Sequence, residues 1–263
     1  MPSCLDCFIT ESHDFLLNGS KKEIDEARSY LNETRKISDK SIHTHKIGYW
    51  PKYEPIPDEV KFYGKKEEDR DGNGYSYFIQ NRVIVPIYDE FGKVVGFATR
   101  RPTTEPGNTW WNLSSPFKKG NHLFLLDKSR KNVFNKNKIY LVEGYVDAII
   151  LYQEKLEEVC SLMGVHLSPR KIGLIVRYCD SICICLDTDK NRAGQDACEK
   201  AIYTLNQFGF SKSISTISLP LKEDPDEYVM KNGLDDFLSL EEKLSKKEVE
   251  KICKRVYRRN KKR

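Results

Sequence analysis

One stretch limits what this chain can become more than any other: Lys138-Ile139-Tyr140-Leu141-Val142-Glu143-Gly144-Tyr145-Val146-Asp147-Ala148-Ile149-Ile150-Leu151-Tyr152. Ile139 to Val142 is a short β-branched and aliphatic run, the pattern of a strand buried on both faces. It stops at a carboxylate and a glycine, and a helical pattern begins, with Val146, Ile149, Ile150 and Gln153 at i, i+3, i+4 and i+7. A doubly buried strand that turns directly into a helix predicts an α/β sheet, and open α/β sheets carry their ligand chemistry at the carboxyl ends of strands. Glu143 stands at such an end. The plain alternative is a solvated acid on an ordinary turn.

A second stretch repeats the arrangement. Ser181-Ile182-Cys183-Ile184-Cys185-Leu186 is apolar and ends in Asp187-Thr188-Asp189. Two residues apart in extended backbone, Asp187 and Asp189 leave the same face. Lys190 to Gly194 makes a turn, and Gln195 to Leu205 reads as a helix with Ala197, Ala201 and Leu205 on one side. If the two strands are neighbours, Glu143, Asp187 and Asp189 converge. Three carboxylates so close need a cation, and the pattern predicts a Mg²⁺ site for phosphate chemistry.

At these residues V-E-G-Y-x-D, D-x-D and A-G resemble the TOPRIM fold, and specifically the RNA-polymerase core of DnaG-type bacterial and phage primases. Further blocks follow in that family's order: Arg82-Val83-Ile84-Val85-Pro86-Ile87 with Asp89, Gly92, Val94 to Phe97 and Arg100; Ser115 to Gly120 with Leu123 to Leu126; Ser161-Leu162-Met163-Gly164; and Glu223-Asp224-Pro225-Asp226. Tyr30-Leu31 with Arg35-Lys36-Ile37-Ser38, then Ile47-Gly48-Tyr49, are similar to two earlier segments, Lys36 standing where the family has glycine. Gln80 replaces a family arginine, a tryptophan of the Trp110-Trp111 pair replaces a lysine, and Lys190-Asn191 widens the turn after the second acidic strand.

The resemblance implies an α/β (α+β overall) fold: an open, mainly parallel TOPRIM sheet flanked by helices, with an N-terminal α+β subdomain and a helical C-terminus. The expected parts are a truncated zinc-ribbon remnant over 1–17, an N-terminal subdomain over 18–132, the TOPRIM domain over 133–222, and a C-terminal helical segment with a basic tail over 223–263. The implied activity is Mg²⁺- or Mn²⁺-dependent synthesis of short RNA primers from nucleoside triphosphates on single-stranded DNA. Glu143, Asp187 and Asp189 are the implied catalytic metal ligands, and Asp224 and Asp226 complete the metal rim. Arg35, Arg82, Arg100, Lys118 and Lys119 are the implied nucleotide and template contacts. Two rival readings use the same residues: a TOPRIM nuclease, and a primase-derived single-stranded nucleic-acid-binding protein inactive on its own.

Several stretches carry a reading of their own. Cys4-x-x-Cys7 looks like the second half of a zinc ribbon, but tetrahedral zinc needs four ligands, and His13, His43 and His45 have no ribbon spacing to the pair. No zinc is expected, and an upstream fragment carrying the first ligand pair is a candidate partner. Lys21 to Leu31 reads as an amphipathic helix, and Ser38 or Asp39 as the cap of another. Residues 67–75 read as an exposed turn or hairpin, and 82–101 as a hairpin whose mouth bears Arg82, Arg100 and Arg101. Those arginines suit phosphate oxygens; the alternative is edge-strand charge that discourages aggregation. Trp110-Trp111 beside Lys118-Lys119 suits stacking on bases or, equally, a subdomain interface. Asp224 and Asp226 also look like the start of a helix with Pro225 in its first turn.

The net charge of +5 permits a polyanionic partner without requiring one. Its clearest local source is Lys251 to Arg263, a dense run of Lys and Arg around Tyr257. The eight cysteines read as reduced thiols rather than bridges, Cys183 and Cys185 lying in an apolar strand. No signal-peptide pattern opens the chain, and no apolar run approaches a membrane span. The expectation is a cytoplasmic protein of a bacterial cell or phage-infected host, without membrane contact. With no G-x-x-x-x-G-K-[ST], unwinding would fall to a separate replicative helicase.

Overall fold

The computed structural model describes residues 4–61, 79–105, 110–112, 117–186, 193–210, 212–220 and 223–261, which divide into two units, Met1–Lys119 and Gly120–Arg263. The reading of 67–75 as a turn or hairpin lies outside the described residues.

The first unit begins with α1 (Cys4–Asn18), which corrects the zinc-ribbon reading. Leu5, Phe8, Ile9, Ser12 and Leu16 recur at helical spacing and are all buried. Cys4 and Cys7 are one turn apart at its start, so the C-x-x-C spacing here is that of a helix. Next come α2 (Lys22–Ser29), a π-helical turn (Tyr30–Thr34), α3 (Asp39–Thr44), and the short α4 (Asp58–Lys61). Ser38 does cap α3, its hydroxyl accepting from Ser41 N–H at 3.2 Å.

An antiparallel sheet runs in the order β1 (Gly48–Trp50), β2 (Arg82–Tyr88), β3 (Val94–Arg100), β4 (Trp111–Asn112). The β2–β3 hairpin is as expected, its turn held by Asp89, whose carboxylate accepts from Phe91 N–H at 2.9 Å and Lys93 N–H at 3.0 Å. Helix α1 packs on one face, the Phe8 ring 4.7 Å from Trp50 and 4.9 Å from Phe97. The approach is close enough that a Cβ on Gly48 would lie 2.6 Å from the Ser12 main chain.

The second unit is a five-stranded sheet in the order β6-β5-β7-β8-β9: β5 (Lys138–Val142), β6 (Val159–Ser161), β7 (Ser181–Ile184), β8 (Ser213–Ile217) and β9 (Glu241–Lys243). The first four are parallel, and β9 joins β8 antiparallel at the edge. Helices α5 (Leu126–Lys136), α7 (Pro169–Tyr178) and α8 (Ala193–Gln207) pack with one set of alternating strand residues, including Ile139, Leu141, Ile182, Ile184 and Ile214. The last helix, α11 (Lys246–Lys261), joins that layer through Val249 and Ile252. The remaining helices of this unit are α6 (Tyr145–Gln153), which follows β5, and α9 (Pro225–Asn232) and α10 (Leu234–Ser239), which lie between β8 and β9 in the chain. Helix α6 is buried from Tyr145 to Leu151 and carries α9 against it, so its pattern is apolar almost all round.

Two boundaries move from their expected places. The units meet at Lys119 and Gly120 rather than at 132, because Leu123, Leu126 and Val133 belong to the second core and Phe124 exchanges two main-chain hydrogen bonds with Ser161, at 3.0 and 3.1 Å. Residues 223–261 are not a separate helical segment: β9 extends the sheet and α11 lies on α8. No described helix is long and apolar enough to cross a membrane.

Candidate active site

In the second sheet the chain leaves β5 toward β6 on one side, then returns across β5 to β7 on the other. The reversal makes the carboxyl ends of β5 and β7 a topological switch point, and Glu143 follows β5 there. Its main chain is held from the S-L-M-G segment. Glu143 C=O accepts from Ser161 Oγ–H at 2.7 Å and from Gly164 N–H at 2.9 Å, while Leu162 N–H donates to Val142 C=O at 2.8 Å. Ser161 Oγ also accepts from Met163 N–H at 2.8 Å.

The next turn is fixed by Asp147, which is buried. Its carboxylate reaches back from the first turn of α6 to accept Gly144 N–H at 2.8 Å. A Cβ on Gly144 would stand 2.6 Å from that same oxygen, so a side chain there would have to displace the capping carboxylate. Sequence reasoning quoted Asp147 within its motif and missed this role; its spacing to the glycine was the available signal.

Cys185 N–H donates to Leu141 C=O at 2.9 Å, which carries β7 alongside β5 as far as Leu186. Asp187, Asp189 and the Lys190-Asn191 widening lie outside the described residues. Asp224, on the connection leaving β8, precedes α9 in extended conformation, and Asp226 lies in its first turn. Asp224 C=O accepts from Tyr228 N–H at 3.0 Å. No group of three metal-ligating side chains forms among the described residues. The donor chemistry nevertheless fits a hard divalent cation: Glu143 is partly buried and its main-chain carbonyl accepts two hydrogen bonds, and in sequence the strand end beside it runs directly into two further acids.

Within the first unit the predicted arginines separate. Arg35 and Arg100 come together around Tyr30. The Arg35 Nε–H donates to the Tyr30 hydroxyl at 2.8 Å, and the π-helical turn brings them together, Arg35 N–H bonding Tyr30 C=O at 3.0 Å. Burial lowers the Arg100 pKa from its ordinary value; Tyr30 opposes this and the Arg35 charge adds to it. The Arg100 guanidinium lies 5.9 Å from the Trp110 ring centre, and its buried Nε has no hydrogen-bond partner among the described residues. Two cations meeting beside the buried Tyr30 and the partly buried Trp110 make a site that favours an anion.

Arg82 is buried and pairs with Trp50, whereas Arg100 pairs with Val83, so their Cα positions belong to opposite faces of the sheet. Lys118 and Lys119 are exposed, and Trp111 lies in the edge strand β4.

The basic run of the C-terminus is ordered as α11. Arg255 and Arg259 turn inward to ion pairs with Glu199 at 3.1 and 2.9 Å, and Arg259 reaches Asp196 at 2.7 Å. Lys247, Lys251, Lys254, Arg258 and Lys261 are exposed at helical spacing along the outer side, a stripe roughly 21 Å long.

Comparison with known proteins agrees with this architecture. Residues 15–130 match the DNA primase catalytic core, N-terminal domain, and residues 140–229 match a Toprim-like domain. The DNA primase of Synechococcus elongatus is 31% identical over 81% of this chain and 33% of its own length, and that of Rickettsia typhi 32% over 83% and 38%. The chain thus spans about a third of the length of the curated relatives it matches. A DnaG primase catalytic domain solved bound to single-stranded DNA superposes with a TM-score of 0.72 at 26% identity, covering 89% of this chain and 78% of that one. The E. coli primase catalytic core gives 0.71 at 25%, over 89% and 77%. With both halves of that core present in order, and the acid-bearing strand end at the switch point of its sheet, the chain belongs to the DnaG-type primases with a TOPRIM domain.

Proposed function

We propose that this chain is a primase catalytic core that joins ribonucleoside triphosphates into short RNA primers on single-stranded DNA. The observation that carries the reading is Glu143, held by its main chain at the switch point of a TOPRIM sheet in a chain of this family. Glu143, Asp187 and Asp189 would hold Mg²⁺ or Mn²⁺, with Asp224 and Asp226 serving a second ion or the ion carried by the triphosphate. Such a cation, when bound, supplies Lewis-acid stabilisation of charge at the reacting phosphorus and lowers the pKa of a coordinated hydroxyl.

The chain's own part is to bind and orient. Arg35 and Arg100 present guanidinium donors beside Tyr30 and Trp110, suited to phosphate oxygens with a base or sugar against the rings. Arg82, Lys118 and Lys119 are assigned to the same polyanionic ligands, and the outer stripe of α11 to template phosphates. A replicative helicase is the proposed partner for unwinding, in the cytoplasm of a bacterium or phage-infected host.

Incorporation of radiolabelled ribonucleotides on single-stranded DNA with Mg²⁺ or Mn²⁺ tests the proposal. Extension products are expected, and Glu143→Gln and Asp187→Asn should lower their yield by orders of magnitude while the folded chain remains. Degradation of the template without extension would establish a nuclease instead. Binding with neither outcome would leave a nucleic-acid-binding protein.

A further inference from the structure

The segment that holds Glu143 has an anchor of its own. Lys171 lies in the first turn of α7 and is 2% exposed. Its ammonium donates to Leu162 C=O and, at 3.3 Å, to His166 C=O. A cation in the first turn opposes the helix dipole, so its contribution to α7 itself is unfavourable. A buried ammonium is retained only where oxygen replaces its water, and here one of those oxygens, Leu162 C=O, belongs to the segment that grips the acid.

Leu162 is therefore held from two directions, through its N–H by Val142 C=O at 2.8 Å and through its C=O by Lys171. The residues on either side, Ser161 and Gly164, supply the two donors to Glu143 C=O. Between them Met163 has φ 56°, a left-handed conformation that a side-chain-bearing residue keeps only when its surroundings enforce it. The base of Lys171 is fixed as well: Ser168 Oγ accepts its N–H at 3.2 Å and donates to Gly120 C=O.

We infer that Lys171 is a positioning residue for the metal-binding acid: its ammonium holds the Ser161–Gly164 segment in the strained form that fixes Glu143. The inference rests on the proposed reading of Glu143 as a ligand of a divalent cation. Without the ammonium the segment relaxes toward ordinary backbone angles, its two donors leave the Glu143 carbonyl, and the main chain that carries the carboxylate loses its fixed position.

Lys171→Met keeps the aliphatic stem and removes the donors. The Kd for Mn²⁺ is read on the full chain from the free-ion resonance signal, and the Mn²⁺ dependence of ribonucleotide incorporation beside it. The Mn²⁺ Kd should rise about tenfold or more, the usual effect of losing a group that orients a ligand. The half-saturating Mn²⁺ concentration should rise with it, and the maximal rate should return at high Mn²⁺. A variant that melts earlier but binds Mn²⁺ unchanged makes Lys171 a stabilising residue only and overturns the inference. If Lys171→Met does not fold, Lys171→Gln, which retains an amide donor, is measured and judged in the same way; failure of both to fold overturns the inference too. Glu143→Gln separates the two ideas. If it also leaves Mn²⁺ binding unchanged, the ligand reading has failed; if it weakens binding and the Lys171 variants do not, only the positioning role has.

Discussion

Lys36 shows how a residue other than glycine can hold a left-handed backbone. It stands where the resembling motif has glycine, and its φ is 57°, in the left-handed region that glycine enters without penalty. The conformation survives because the turn around it is fixed on both sides, Arg35 N–H bonding Tyr30 C=O at 3.0 Å and Ile37 N–H bonding Leu31 C=O at 2.9 Å. Lys36→Gly should therefore stabilise the fold, by about 1 kcal/mol less the extra chain entropy of glycine. A rise in the midpoint of urea unfolding with unchanged slope would bear this out; a lower midpoint would mean that the Lys36 side chain contributes more than its backbone costs. The position was legible from the motif, and the strain was not. Lys171 gave still less warning, since a lone lysine in Pro169-Arg170-Lys171-Ile172 reads as an exposed helix residue.

At the scale of elements, legibility followed how much a segment buries. The strand β5 and helix α6 were evident because an apolar run, an acid, a glycine and a second apolar run leave little choice. Helix α1 was hidden behind its C-x-x-C, although Phe8, Ile9 and Leu16 already carried the helical period. Strand β9, Glu241-Glu242-Lys243, has no apolar alternation at all and is a strand because β8 offers it an edge. Its place is fixed by Glu241, whose carboxylate accepts from Lys138 Nζ at 2.6 and 2.7 Å, Tyr140 hydroxyl at 2.8 Å and Ser215 hydroxyl at 2.5 Å. Burial alone would raise the Glu241 pKa, but these donors outweigh it and hold the carboxyl below its ordinary value. A depressed folded pKa adds stability that is present above the unfolded value and lost as pH falls through the folded one. Glu241→Gln should thus cost about 1–2 kcal/mol at neutral pH, and the gap to the parent chain should close below roughly pH 4. Melting temperatures of both proteins between neutral and acidic pH decide it; a gap independent of pH would assign the effect to packing.

For the molecule as a whole, charge is sorted by position rather than by amount. A net charge of +5 says little, yet the inner and outer sides of α11 differ sharply. Arg255 and Arg259 are spent on acids of α8, and the exposed cations run along the other side. On the proposed function those cations meet template phosphates. Replacing Lys247, Lys251, Lys254, Arg258 and Lys261 by Gln should weaken binding to a single-stranded oligonucleotide. It should also flatten the dependence of log K on log salt by about 0.7 for each phosphate that is no longer neutralised. An unchanged slope would make the stripe a solvated face.

The polar edge strand has a consequence for how the chain is made. During synthesis the sequence Ser213 to Ile217 leaves the ribosome before Glu241 to Lys243, so for some twenty-five residues of elongation, at about 5–20 residues per second, β8 presents an open row of peptide groups. Edges of this kind recruit strands from neighbouring chains. Arrival of the charged β9 closes the row with a strand that, being acidic and short, invites no further partner. The three residues that looked least like structure are thus the ones that end the interval in which nascent chains can join one another.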